Sequence, residues 1–91
     1  MSQPLTASLY RTLERLARTS PAERLSFIVE VASPMTATSL AAAGMTIDQQ
    51  VPEPLLVMGT MTPATALGTA VLAGVLRIEL DAQGVRALDG E

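Results

Sequence analysis

The sequence contains no histidine, cysteine, lysine or tryptophan, and each absence closes a class of function. Without histidine, the usual general base, the relay of a catalytic triad and the commonest zinc ligand are all missing. Without cysteine there are no disulfides, thiolate nucleophiles or cysteine-bound metals, and the redox compartment stays open. Aromatics are confined to Tyr10 and Phe27, so the strand Leu55 to Met61 has no ring on which RNA bases would stack. Six arginines face nine acids, and a net charge of −3 gives a phosphate backbone little to bind. No nucleic-acid partner is expected.

What is present suits one globular domain. Ninety-one residues, 48% of them hydrophobic, are enough for a single modest core. Ala, Leu, Val, Met and Thr must fill it. Arg11, Arg15 and Arg18 are spaced as in a mitochondrial transit peptide, but Glu14 interrupts them and a surface helix fits equally well. Leu55 to Leu76 carries no charge, yet five polar or helix-breaking residues (Thr60, Thr62, Pro63, Thr65, Thr69) and three glycines dilute it, so no membrane span is expected. No secretory signal opens the chain, which leaves the cytoplasm as the default expectation.

Read for organisation, residues 1–20 form an N-terminal amphipathic helix and residues 21–91 the main unit. Leu5, Leu9, Leu13 and Leu16 recur at helical spacing from Pro4 to Arg18, with Arg11, Glu14, Arg15 and Arg18 mostly opposite. The remainder divides into two similar halves. Leu25 to Ala32 alternates as a strand; Ser33-Pro34 caps and starts a helix with Ala37, Leu40 and Ala41 inside, ending at Gly44. Met45 to Val51 alternates as an edge strand, with Met45, Ile47, Gln49 and Val51 on one side. After the turn Val51-Pro52-Glu53-Pro54, the strand Leu55 to Met61 opens the second half. Thr62-Pro63 caps a helix with Ala64, Leu67, Gly68, Val71 and Leu72 inside, ending at Gly74, and Val75 to Leu80 is the last strand.

Strand–helix–strand twice makes this an α+β chain, a ferredoxin-like βαββαβ with a four-stranded antiparallel sheet and an extra N-terminal helix. Phe27, Val29, Leu76 and Ile78 should face inward. Ile28, Glu30, Arg77, Glu79 and one side of Leu55 to Met61 should show on the open face, unless the N-terminal helix or a partner covers it. Catalysis finds no support. Glu79 and Asp81 lie beside solvent, and Ser20, Ser26, Ser33 and Ser39 read as caps, turns or strand surface. The glycines match no phosphate loop, and no metal or cofactor is expected. The chain is expected to be a binding protein, not an enzyme.

The segment from Leu25 to Leu88 resembles the propeptides of subtilisin-like serine proteases and the free-standing inhibitors built like them. The likeness rests on Phe27-Ile28-Val29-Glu30-Val31, on the Leu40…Gly44 helix end, and on Thr62-Pro63-Ala64-Thr65-Ala66-Leu67…Leu72-Ala73-Gly74-Val75-Leu76-Arg77-Ile78-Glu79-Leu80-Asp81. The resemblance implies that the open sheet face docks on two surface helices of a protease, with Glu30 and Glu79 meeting helix N-termini and Ile28 as apolar filler. It also implies that Val85, Arg86, Ala87, Leu88 and Asp89, within the segment ending at Glu91, lie in the substrate cleft as an added strand. Such a chain would inhibit or chaperone the protease. On turn chemistry alone, Asp81-Ala82-Gln83-Gly84 fits a hairpin returning Val85 to Leu88 as a fifth strand as well as it fits a free tail. Two other readings of the chain stay open: an assembly module forming homo- or hetero-oligomers, and a small-molecule sensor.

Overall fold

The computed structural model describes residues 4–52 and 55–81. The chain runs α1 (Ala7–Thr19), β1 (Leu25–Val31), α2 (Pro34–Ala43), β2 (Thr46–Pro52), β3 (Leu55–Met61), α3 (Pro63–Thr69) and β4 (Val75–Leu80). It is an α+β protein: among the described residues, one open four-stranded antiparallel sheet, ordered β2-β3-β1-β4, carries three helices. Each half of the repeat contributes two strands that flank a strand of the other half, so the halves interleave into one sheet.

The local signals act where backbone groups need partners. Thr6 caps α1 by accepting from Leu9 N at 3.1 Å, and Thr62 caps α3 by accepting from Thr65 N at 3.2 Å. Ser33 occupies the α2 cap position without a side-chain bond; its carbonyl accepts from Thr36 N instead. Gly44 ends α2 at φ +122°, a region that L side chains rarely adopt.

The core is a single cluster in which Leu5 and Leu13 join Phe27, Val29, Leu40, Val57, Met61 and Ile78. Those sheet residues all lie on the inward side, so α1 belongs to the helix layer and packs beside α3. Among the described residues, no element covers the other sheet face. The segment entering α1 is tied too: Pro4 O accepts from Ile78 N at 2.8 Å, along the outer edge of β4.

Several details depart from the sequence expectations. Leu76 is 51% exposed rather than inward. Glu30 pairs with Arg77 but Val31 with Val75, so β4 carries an extra residue at Leu76, and Val75 becomes the buried position. In β2, Ile47 pairs with Gly59 but Gln49 with Met58, and the extra residue Asp48 switches the phase. Val51 therefore sits on the open side with Leu56, not on the side of Met45 and Ile47. In α2, Ala41 is exposed and Thr36 is buried beside Ala37 and Leu40.

The last helix is shorter than expected. α3 ends at Thr69, and residues 70–74 turn back to β4, so the inward residues are Pro63, Ala66 and Thr69. Ala64, Gly68 and Val71 are exposed, while Leu67 and Leu72 are half-buried. A Cβ at Gly68 would meet nothing within 4 Å. Gly68→Ala is accordingly expected to stabilise the protein by about 0.5–1 kcal/mol through helix propensity and a less flexible unfolded chain. Urea denaturation followed by circular dichroism would show this as a higher midpoint at unchanged slope.

Candidate functional site

The open face forms a grid set by strand register. Thr46, Thr60 and Ser26 make one row across β2, β3 and β1. Gln49, Met58, Ile28 and Glu79 make the next, and Val51, Leu56, Glu30 and Arg77 the third. Ile28, Met58, Leu56 and Val51 are contiguous and half-buried, shaded by neighbouring side chains and covered by no element among the described residues. This apolar strip lies on the inner strands and reaches the β2 edge at Val51.

Charge borders the strip on the β4 side. Arg77 Nε lies 3.0 Å from Glu79 Oε2 and its Nη2 lies 3.5 Å from Glu30 Oε1. Strand pairing explains the geometry, because Arg77 sits directly opposite Glu30 and two residues from Glu79 along β4. Both pairs are open to solvent, Glu30 less so than the other two, and each is worth no more than about 1 kcal/mol. At the opposite corner Arg24 reaches across the sheet end, donating to Thr60 O at 2.8 Å and Thr46 Oγ1 at 2.9 Å. It stitches the start of β1 to β3 and β2.

The structure thus brings together three of the expected site residues, Ile28, Glu30 and Glu79, on one face. Val85, Arg86, Ala87, Leu88 and Asp89 lie outside the described residues, as does the turn at Glu53-Pro54. Sequence reasoning missed Arg24 and Val51. Arg24 gave no local signal, since its partners lie 22 and 36 residues away. Val51 reaches the face only through the bulge at Asp48.

Both sheet edges are poor templates for strand addition. β2 is kinked at Asp48 and ends in Pro52, and β4 already carries the Pro4 contact. A crevice of about 260 Å³ opens between α1 and α3, lined by Pro4, Leu5, Tyr10, Leu67, Ala70 and Val71. It is smaller than most ligand pockets, and no charged or amide side chain lines it, which disfavours a small-molecule sensor. Arg11, Arg15 and Arg18 are exposed on the side of α1 opposite Leu13. Three solvated arginines supply too little energy for a stable contact by themselves.

Among the described residues, no group of three or more His, Cys, Asp or Glu is placed to hold a metal ion, and no helix is long and apolar enough to cross a membrane. Comparisons with protein-family models, with curated proteins and with solved structures return no match for the chain. The functional reading therefore rests on the face itself.

Proposed function

We propose that this chain is a non-catalytic, ferredoxin-like binding module of the propeptide type, which docks its open sheet face on a subtilisin-type serine protease and inhibits or chaperones it. The observation that carries the reading is a sheet face that no element among the described residues covers. Three helices pack on one side of the sheet, while Ile28, Val51, Leu56 and Met58 form an apolar strip on the other, bordered by Glu30, Arg77 and Glu79. Because the Arg77 pairs are exposed and weak, either carboxylate can exchange its partner for a helix N-terminus at little cost.

Area decides how much that face achieves. Four strands and three side-chain rows cover roughly 20 by 20 Å, about 400 Å². A standard stable interface buries about 800 Å² per partner. The face alone gives a weak contact, whether to a protease or to a second copy of the chain. A tight complex needs a second contact, and the resemblance assigns it to Val85–Asp89.

The test is a titration of the chain into subtilisin-type proteases, following hydrolysis of a small peptide substrate. Leu56→Glu, a version ending at Asp81, and Arg15→Glu on the far side of α1 run beside it. Competitive inhibition by the full chain is expected. Leu56→Glu and the truncation should each weaken it tenfold or more, and Arg15→Glu should leave it unchanged. Absence of inhibition across several such proteases, with the chain remaining folded, would sink the proposal; a concentration-dependent oligomer in the same samples would favour the assembly reading.

A further inference from the structure

We propose that Met58 makes the open face redox-sensitive: oxidation of its thioether to the sulfoxide by a peroxide switches docking off. This rests on the docking reading above. The chain has no cysteine, so its oxidisable sulfur is all methionine. Met45 and Met61 are 4% and 0% exposed and sealed in the core. Met35 is 80% exposed, but it stands in the first turn of α2, in the helix layer. Met58 alone among the described methionines is both partly accessible and within the apolar strip, between Ile28 of β1 and Gln49 of β2.

The chemistry is direct. The sulfur lone pair attacks a peroxide oxygen, the O–O bond breaks, and the peroxide is reduced to water as the thioether becomes a sulfoxide. A flexible apolar side chain then carries a strong hydrogen-bond acceptor at the centre of the strip. Docking would bury that oxygen without a partner, a cost that weakens binding roughly tenfold or more. The side chain points away from the core, so the fold itself is untouched.

The experiment treats the full chain with dilute hydrogen peroxide, maps sulfoxides by peptide mass, and repeats the protease titration and a thermal melt. Met58 should oxidise while Met45 and Met61 stay reduced, with the melting temperature held within about 3 °C, a fraction of a kcal/mol. The inhibition constant should rise tenfold or more and return after methionine sulfoxide reductase treatment. Met35→Leu should respond to peroxide as the unaltered chain does. Met58→Leu, whatever its own inhibition constant, should not respond at all. Resistance of Met58 under conditions that oxidise Met35, or equal inhibition before and after its oxidation, would overturn the proposal. If the untreated chain inhibits nothing, the docking reading fails and this one falls with it, a result distinct from inhibition that peroxide leaves unchanged.

Discussion

Gly59→Ala is expected to cost about 3 kcal/mol or more. Gly59 is buried at the centre of β3, paired with Phe27 on one side and Ile47 on the other. A Cβ there would overlap the Thr46 carbonyl oxygen and come within 2.9 Å of Ile47 Cα. Both obstacles are backbone, so no side-chain rotation relieves them. β2 would have to lift from β3 just beside its bulge at Asp48, giving up ladder hydrogen bonds and the cover over Met45 and Ile47. A domain of this size has only about 5–14 kcal/mol of stability to lose. Urea denaturation should show a midpoint lowered by roughly 2–3 M, or no cooperative transition at all. A midpoint within about 0.5 M of the unaltered chain would mean that β2 does not close over Gly59.

Leu13→Ala is expected to cost about 2–5 kcal/mol, because α1 is part of the core rather than an appendage. Leu13 is 0% exposed and joins the same buried cluster as Phe27 and Ile78. Truncation removes its transfer energy and leaves a cavity between α1, α3 and the sheet. The melting temperature should fall by about 10 °C or more. Arg15→Ala, exposed on the same helix, should change it by no more than about 2–4 °C. Equal behaviour of the two variants would show α1 to be dispensable, and the open face would then lose its explanation: a detached α1 is free to cover it.

How much of this was legible in the sequence depends on whether the signal was local. Alternation in Leu25–Val31 needs only one strand to be read, and it correctly separated Phe27 and Val29 from Ile28 and Glu30. Thr62-Pro63 and Gly44 work by satisfying or freeing backbone within one turn, so they too appear in the sequence. The bulges at Asp48 and Leu76 do not. A bulge is a relation between two strands, and Asp48 and Leu76 each continue the polar–apolar alternation of their own strand, so alternation alone places Val51 and Leu76 on the wrong side. The early end of α3 was hidden for a related reason. Val71 and Leu72 continue an apolar run that periodicity alone assigns to a helix, although the chain has already turned at Ala70 towards β4.

The candidate site divides the same way. Ile28, Glu30 and Glu79 follow from strand phase, whereas Arg77 pairing with both acids, and Arg24 reaching Thr60 and Thr46, exist only once register is fixed. That the four apolar residues form one strip depends on β3 lying between β2 and β1, an adjacency that no stretch of the chain encodes alone.

The proposed docking uses the side of the sheet that no described element covers. The most direct measurement is a methyl NMR titration of the labelled chain with an active-site-blocked subtilisin-type protease, the blocking group small enough to leave the cleft open. Shifts and broadening are expected at Ile28, Val51, Leu56 and Met58, with Leu13, Leu40, Leu67 and Val71 unmoved. Perturbation centred on Leu67 and Val71, or none anywhere at saturating protease, would contradict that docking.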